Sequence, residues 1–251
     1  MTGTLLLMPN ALDLGADPVD LRQVLPDGVI QRAAALQHWV AEDARAARVF
    51  LKRVSAHTPL AVPLQQIQIT ELPRPRKGSP EVISAATWHG LLQPALEGHD
   101  LGLISDAGLP AVADPGAALV QAAHAAKVTV LPLAGASSLL LALAASGLNG
   151  QSFAFVGYLP QEATARAARL KELEAASRRT VQTQLLIETP YRNATLLAAL
   201  LTTLSPGTRL HVSCGLSLPD GWCRTDTVAG WRARPVSMPD RTPAVFAFLA
   251  A

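Results

Sequence analysis

Carboxylates and arginines occur together at two points where a predicted strand ends. These points are the segments Glu42-Asp-Ala-Arg45 and Glu188-Thr-Pro-Tyr-Arg192. The carboxyl ends of parallel strands meet at one edge of a sheet, so Glu42, Asp43 and Glu188 are candidates for general acid–base catalysis. The simpler alternative is an ion pair between the glutamate and an arginine of its own segment.

A basic helix is expected directly after the first of these segments. It carries Arg45, Arg48, Lys52 and Arg53, with no acidic residue between them. Such a face could bind phosphate groups, although a charged helical face is more often simply solvated. The six histidines are scattered without the spacing of metal ligands, so we expect no metal site.

Two loops have the form expected of ligand-binding loops in an open parallel sheet. In residues 101–116, and again in residues 130–138, an apolar strand runs into a turn of Gly, Pro, Asp or Ser, and a helix follows. Asp106 could simply satisfy N–H groups of its turn. The functional alternative is that Leu109 to Val112 present backbone groups and apolar walls to an adenosine-like ligand.

Both loops end in residues that are typical of helix starts. Asp114-Pro-Gly116 is expected to begin a helix, with Asp114 as the N-cap and Pro115 at the first helical position. Ser137 and Ser138 are expected to cap the next helix. Their hydroxyls and the free N–H groups there also suit a carboxylate or a ribose.

Composition and missing motifs exclude several classes of protein. Half of the 251 residues are apolar (49%), and the net charge is only +2, too small to indicate a polyanionic partner by itself. The chain lacks the Gly-rich signatures of dehydrogenases and NTPases, the serine hydrolase elbow and the zinc protease motif. Cys214 and Cys223 do not have the spacing of a zinc knuckle or a redox pair, so we expect reduced thiols. The N-terminus lacks a signal-like segment, so we expect a cytoplasmic protein.

Strand and helix patterns alternate along most of the chain. This predicts an α/β protein of two domains, residues 1–150 with a mostly parallel sheet and residues 151–251 with a mixed sheet. Residues 36–54 fit one continuous helix, but we favour a strand at 37–41 followed by the basic helix. Strands are expected at 4–8, 101–104, 128–131, 153–158, 183–187, 208–214, 223–228 and 244–249. The other helices are expected at 26–35, 80–97, 116–126, 137–146, 164–177 and 193–204.

Motifs spread over most of the chain resemble the S-adenosylmethionine-dependent tetrapyrrole methylase superfamily. Its nearest branch is the one that methylates a ribose 2′-hydroxyl in small-subunit ribosomal RNA. The matching motifs, in order, are Ser105-Asp-Ala-Gly-Leu-Pro110, Ala113-Asp-Pro-Gly116, Leu131-Pro-Leu-Ala-Gly-Ala-Ser-Ser138, Ala145-Ser-Gly-Leu148, Gly157-Tyr-Leu-Pro160 and Glu188-Thr-Pro-Tyr-Arg192. The chain departs from that branch in Met8 to Gly15, at Leu109 where Thr is usual, and in Ala134-Gly-Ala136 where Pro-Gly-Pro is expected.

The resemblance implies a homodimeric methyltransferase of two α/β domains that uses S-adenosylmethionine and acts on RNA. The implied donor-binding residues are Pro9, Asp106, Leu109, Val112, Ser137, Ser138, Leu216, Thr242 and Pro243. With this reaction in view, Glu42, Asp43 and Glu188 are the candidate bases, and Arg45, Arg48, Tyr191 and Arg192 the candidate substrate-binding residues. Two alternatives stay open: a tetrapyrrole or other small molecule as the acceptor, and a non-catalytic binding protein that has kept the fold.

Overall fold

The computed structural model describes residues 2–12, 20–74 and 83–250. Its internal contacts divide the chain into two compact units, Met1–Ala136 and Ser137–Ala251, which are described separately. The predicted loop residues Gly15, Asp17 and Pro18, and most of the predicted loop 74–78, lie outside the described residues.

The first unit contains a five-stranded sheet in which all strands are parallel. The strands are β1 (Thr4–Met8), β2 (His38–Ala41), β3 (Gln68–Glu71), β4 (Leu101–Ile104) and β5 (Thr129–Pro132). Their order is β3-β2-β4-β1-β5. Because every pair is parallel, the loops that follow β1, β2 and β4 all leave from one edge, which we call the first carboxyl edge.

Helices cover both faces of this sheet. They are α1 (Asp27–Ala35), α2 (Ala44–Ser55), α3 (Ala85–Leu91), α4 (Gln93–Leu96) and α5 (Ala117–Ala125). One apolar cluster includes Trp39 and Phe50, whose rings meet edge to face, and a second includes Leu103 and Leu119. Alternate strand residues therefore enter opposite cores, as expected of a sheet buried on both sides.

The helix predicted over residues 80–97 is wrong in its extent. Residues 80–82 lie outside the described residues, and the rest forms two short helices, α3 and α4, separated at Leu92. Pro94 explains the break, because in a continuous helix its ring would clash with the carbonyl of Gly90.

The second unit contains a mixed five-stranded sheet, as the sequence predicts. The strands are β6 (Phe153–Gly157), β7 (Thr183–Ile187), β8 (Arg209–Cys214), β9 (Trp222–Thr227) and β10 (Ala244–Leu249). Their order is β6-β7-β10-β8-β9, in which only β6 and β7 are parallel. The helices are α6 (Ser138–Ser146), α7 (Ala163–Thr180), α8 (Asn193–Thr203) and α9 (Val228–Ala233).

The contacts divide the chain before α6, not near residue 150 as the sequence analysis expected. The reason is apolar packing: Leu139 and Leu143 of α6 form one buried cluster with Leu185 of β7 and Val245 of β10. The sequence analysis also missed β3 and α9. Strand β3 has no buried residue to give an alternating pattern, and α9 is a six-residue helix whose Thr227 cap ends a strand.

Candidate functional site

A cleft of about 380 Å³ opens at the first carboxyl edge. The chemistry-bearing residues that line it come from three segments: Asn10 after β1, Asp43 to Arg53 at and in α2, and Asp106 after β4. Phe50 and Val49 give the cleft an apolar wall, while Arg45 and Arg53 bring positive charge. A pocket with apolar walls and a few convergent polar groups is the usual form of a ligand site.

Asn10 fixes the loop after β4. Its side-chain amide donates to the carbonyls of Ser105 (3.1 Å) and Asp106 (2.9 Å), and its backbone pairs in both directions with Gly108 (2.9 Å each). Gly108 has a φ of 72°, which favours glycine at this position. The ends of β1 and β4 are therefore held together by four hydrogen bonds.

Glu42 faces this loop with a carboxylate that has few cationic partners. Its Oε2 accepts from the backbone N–H of Asp106 (3.3 Å), and Arg74 donates to its backbone carbonyl (2.8 Å). Burial raises the pKa of Glu42, and the charges of Asp106 and Asp43 add to the rise, against the lowering effects of the Asp106 N–H and Arg74. Burial and the charge of Asp43 likewise raise the pKa of Asp106.

Asp114 belongs to the same group of carboxylates, and its predicted role as a helix cap is wrong. Helix α5 begins at Ala117 with Gly116 at the N-cap, where a φ of 129° favours glycine, and no side chain supplies a cap bond. Burial, followed by the charges of Glu42 and Asp106, raises the pKa of Asp114 to about 7. We call Glu42, Asp106 and Asp114 the carboxylate cluster.

Sequence reasoning therefore missed Asp114 as a candidate functional residue. The signal that could have found it is its place in a Gly- and Pro-rich loop after a fully buried strand, where carboxylates often serve a ligand. The loop is unusual in its backbone, since Ala111 and Ala113 both have positive φ (66° and 65°).

Asp43 and the basic residues of α2 have distinct surroundings. Asp43 caps α2, because its Oδ1 accepts from the N–H of Ala46 (2.8 Å). Arg45 and Arg48 are exposed, and Arg48 reaches only the carbonyl of Ala44 at 3.4 Å. Asp43 thus has a structural role, while the arginines remain available to a ligand.

Four predicted donor-binding residues lie at the first carboxyl edge. Pro9 follows β1, and Asp106, Leu109 and Val112 follow β4. Pro9 is buried against Gly135: a Cβ added at residue 135 would lie 2.3 Å from the Cβ of Pro9. Because only glycine fits there, the loops after β1 and β5 can approach closely.

The other predicted donor-binding residues belong to the second unit. The N–H of Gly215 donates to Pro243 (2.9 Å), which places Leu216 beside Thr242 and Pro243. The carbonyl of Thr242 accepts from the amide of Asn193 (3.0 Å). Ser137 stands at the N-cap of α6, as predicted, but its side chain makes no cap bond, and Ser138 is the exposed first residue of the helix.

Glu188 forms the ion pair that the sequence analysis considered as the simpler alternative. Its Oε2 lies 2.8 Å from Nη2 of Arg192, and its Oε1 accepts from the N–H of Thr189 (2.8 Å). Glu188 is buried, whereas the neighbouring Tyr191 is 71% exposed. The carboxylate is thus engaged within its own turn.

The described residues contain no group of three or more His, Cys, Asp or Glu side chains placed to hold a metal ion. Across the same ranges, no helix combines the length and apolar character needed to span a bilayer.

Two solved structures with the same architecture carry the names of methyltransferases. Uroporphyrin-III-C-methyltransferase from Thermus thermophilus matches with a TM-score of 0.52 and 18% identity, covering 98% of this chain and 94% of its own. The methyltransferase CobJ matches with a TM-score of 0.54 and 17% identity over 100% of both chains. The chain has the tetrapyrrole methylase fold.

Sequence comparison finds relatives with one shared name. Ribosomal RNA small subunit methyltransferase I of Halalkalibacterium halodurans is 39% identical over 123 residues, covering 49% of this chain and 40% of the relative. The protein of that name from Micromonospora olivasterospora is 44% identical over 115 residues, covering 46% and 34%. The chain thus matches less than half the length of these relatives. No model of a known protein family matches it. The resemblance seen in the motifs is confirmed by the tetrapyrrole methylase fold and by these relatives.

Proposed function

We propose that the protein is an S-adenosylmethionine-dependent methyltransferase that acts on a ribose 2′-hydroxyl of ribosomal RNA. The observation that carries the proposal is the carboxylate cluster at the first carboxyl edge, whose member Asp106 lines the cleft together with Arg45 and Arg53. The relatives named ribosomal RNA small subunit methyltransferase I support the acceptor, and the methyltransferases of similar fold support the reaction.

The carboxylate cluster supplies the proton acceptor that a hydroxyl acceptor needs. A raised pKa places Glu42 and Asp114 nearer to neutral pH, where a general base is most effective. The members interact, because the charge of Asp106 raises the pKa of Glu42 and the charges of both raise the pKa of Asp114. In this role Glu42 is the first candidate, as the sequence analysis ranked it. Asp43 is set aside because it caps α2, and Glu188 because it pairs with Arg192.

Residues of the cleft, and Arg48 on the same helix α2, orient the acceptor. Arg45 and Arg48 lie on the exposed side of α2 and would bind phosphate groups of the RNA backbone. Phe50 and Val49 would exclude water next to the reacting oxygen. Alignment of this kind can supply roughly 7–11 kcal/mol of the barrier reduction in a group transfer.

The predicted donor-binding residues fit S-adenosylmethionine, which supplies an electrophilic methyl group when bound. At the start of α6, Ser137 leaves its hydroxyl out of a cap bond, so that hydroxyl and the first N–H groups remain for a ribose or a carboxylate. The amide of Asn193 holds the Thr242 carbonyl, and its own Oδ1 is buried without a partner among the described residues. An unsatisfied buried acceptor suits a polar ligand.

We also propose that the protein is a cytoplasmic homodimer, as the resemblance implies. Support comes from α6, which is apolar on all sides and leaves Leu140 (53%) and Leu141 (42%) exposed. Such residues commonly mark an interface. Sedimentation of the purified chain tests the homodimer, and a monomer at micromolar concentration would contradict it.

The decisive experiment combines donor binding with labelling of RNA. Purified protein is expected to bind S-adenosylmethionine in calorimetry and to transfer a labelled methyl group to small-subunit ribosomal RNA from a strain that lacks the enzyme. Donor binding without label on any RNA would overturn the acceptor. It would favour a tetrapyrrole or similar small molecule, as for the uroporphyrin enzyme of similar fold. No binding at millimolar S-adenosylmethionine would overturn both the RNA and the small-molecule methyltransferase hypotheses and would favour a non-catalytic binding protein.

A further inference from the structure

Asn10 lies two residues after β1, lines the cleft and is almost fully buried (7% exposed). Buried polar side chains are normally hydrogen-bonded, and the NH2 group of an amide has two N–H donors. In Asn10 this group donates to two successive carbonyls, those of Ser105 (3.1 Å) and Asp106 (2.9 Å). Asn10 therefore binds the backbone at the point where the loop leaves β4.

The carbonyl of Ser105 belongs to the same peptide group as the N–H of Asp106. A trans peptide group is planar, and its C=O and N–H point in opposite directions. The carbonyl of this group accepts from Asn10 (3.1 Å), while its N–H donates to Oε2 of Glu42 (3.3 Å). Asn10 and Glu42 thus bind opposite ends of one peptide group. Because hydrogen bonds in a chain polarise one another, the bond at the carbonyl strengthens the N–H as a donor.

Backbone hydrogen bonds hold the two sides of this arrangement. On one side, Gly108 pairs with the backbone of Asn10 in both directions (2.9 Å each). On the other side, the N–H of Glu42 donates to the carbonyl of Ile104 at the end of β4 (3.0 Å). The backbones of Asn10 and Glu42 are therefore both fixed to the β4 segment, and the amide of Asn10 holds the peptide group between them.

We propose that Asn10 is a positioning residue for methyl transfer: its amide holds the peptide group that in turn holds the carboxylate of Glu42. This role rests on the proposed function, in which Glu42 is the first candidate for the general base. A base must lie within hydrogen-bond reach of the hydroxyl that it deprotonates, and a misplacement of about 1 Å can cost roughly 10²-fold in rate. Asn10 acts through Glu42 and touches no reacting atom in this role.

The same contact favours the ionised form of Glu42. Burial is the largest influence on the pKa of Glu42 and raises it, whereas the hydrogen bond from the N–H of Asp106 lowers it. Loss of the Asn10 amide weakens the hold on that N–H, so the pKa of Glu42 is expected to rise further. The other charged groups that interact with Glu42 are unchanged in an Asn10 variant, and they are Asp43, Arg74, Asp106 and Asp114.

The test compares Asn10→Leu with wild type, because leucine has nearly the shape of asparagine but donates no hydrogen bond. In the full chain without S-adenosylmethionine, NMR titration of the Glu42 carboxyl carbon is expected to give a higher pKa in Asn10→Leu. At saturating S-adenosylmethionine and RNA, turnover is expected to fall about 10- to 100-fold, and the rising limb of its pH profile to move to higher pH. Asn10→Ala gives the same readouts with a smaller side chain if Asn10→Leu does not fold.

A double-mutant cycle separates action through Glu42 from a general loss of structure. Residues that act as a unit have non-additive effects on rate, whereas the effects of independent residues multiply. Asn10→Leu is therefore expected to change the turnover of Glu42→Gln by less than about twofold. The same fold loss in the Glu42→Gln and wild-type backgrounds would overturn the proposal.

The matched control is Asn149→Leu in the second unit. Like Asn10, Asn149 joins two distant segments, since its amide donates to the carbonyl of Val181 (2.6 Å), 32 positions later. The control is expected to leave the titration of Glu42 and the pH profile unchanged. An equal rise of the Glu42 pKa in Asn149→Leu, or no rise in either Asn10 variant, would overturn the positioning role. No methyl transfer by wild type, with the pKa of Glu42 still raised in Asn10→Leu, would overturn the proposed function and leave the hold of Asn10 on Glu42 standing.

Discussion

The carboxylates that follow strands in the two sheets have opposite surroundings. At the first carboxyl edge, Glu42 and Asp114 are half-buried, lie near other negative charges and have raised pKa values. After β7 in the second sheet, Glu188 is more deeply buried and neutralised by Arg192 at 2.8 Å. A strand-end carboxylate is thus a poor indicator of role by itself. An ion pair with an arginine distinguishes Glu188 from Glu42, whose carboxylate forms no ion pair among the described residues although Arg74 lies near it.

The spacing of the nearest arginine explains the difference. Arg192 follows Glu188 by four residues in a single turn, which brings the guanidinium back to the carboxylate. Arg45 follows Glu42 by only three residues. Asp43, which lies between them in the sequence, caps α2, so Arg45 already belongs to the first turn of that helix. Among the described residues, no ion pair joins Arg45 to Glu42.

The largest expected effect is on catalysis at the first carboxyl edge. Glu42→Gln keeps the size of the side chain but removes the proton acceptor, so methyl transfer is expected to fall roughly 10²- to 10⁴-fold. Affinity for S-adenosylmethionine is expected to stay within about twofold, since an acceptor-side group acts on turnover. Single-turnover labelling and calorimetry measure the two quantities.

Glu97→Gln is the control for that variant, since Glu97 is exposed at the end of α4 and pairs only with Gln93 among the described residues. It is expected to retain full activity. A fully active Glu42→Gln enzyme would show that Glu42 takes no part in the reaction. Glu42 and Glu188 would then no longer differ in role.

The next effect is on stability at the end of β7. Glu188→Ala leaves Arg192 partly buried without its partner, which is expected to lower the free energy of unfolding by about 3 kcal/mol. Urea unfolding measures this. Glu172→Ala breaks the exposed Glu172–Arg169 pair (3.1 Å) and is expected to cost under about 1 kcal/mol. If the two variants lost equal stability, Glu188 would not be a buried structural partner.

The contrast also shows what the sequence can predict. Strands such as β1, β7 and β10 match the expected bounds exactly, and the ambiguous residues 36–54 form a strand and a basic helix as favoured. These elements are set by local apolar patterns between Gly, Pro and capping residues, which a sequence displays directly. Strand β3 lacks such a pattern because its residues are largely exposed.

The predicted site was harder to read because it depends on contacts between distant residues. Asp-Pro-Gly is typical of a helix start, so the sequence predicted Asp114 as a cap. It gave no sign that Asp114 lies near Glu42, 72 positions earlier in the chain. The ion pair of Glu188 was foreseen, since its partner lies in the same motif. The donor-binding residues stay predictions.

The smallest expected effect is a pH-dependent change in stability from Asp114→Asn, because solvent screens the charge of this half-buried carboxylate. The pKa of Asp114 is about 7 in the folded protein, against an ordinary value of 3.8. The folded state therefore holds a proton that the unfolded chain releases, and the stability of wild type falls as pH rises from 3.8 through 7. Asp114→Asn lacks this titration. It is expected to melt at a higher temperature than wild type at pH 8, with the difference vanishing near pH 4.

His211 gives the opposite slope in both proteins and cancels in this comparison. Burial lowers its pKa to about 4 from 6.5, and its two ring nitrogens lie 2.8 Å from Thr225 Oγ1 and 2.6 Å from Ser213 Oγ. The unfolded chain therefore binds a proton that the folded state excludes, so stability is lost as pH falls from 6.5 to 4. Only the difference between Asp114→Asn and wild type reports on Asp114. If the variant melted below wild type at pH 8, Asp114 would be a stabilising carboxylate like Glu188. The contrast between the carboxylates of the first carboxyl edge and Glu188 would then be wrong.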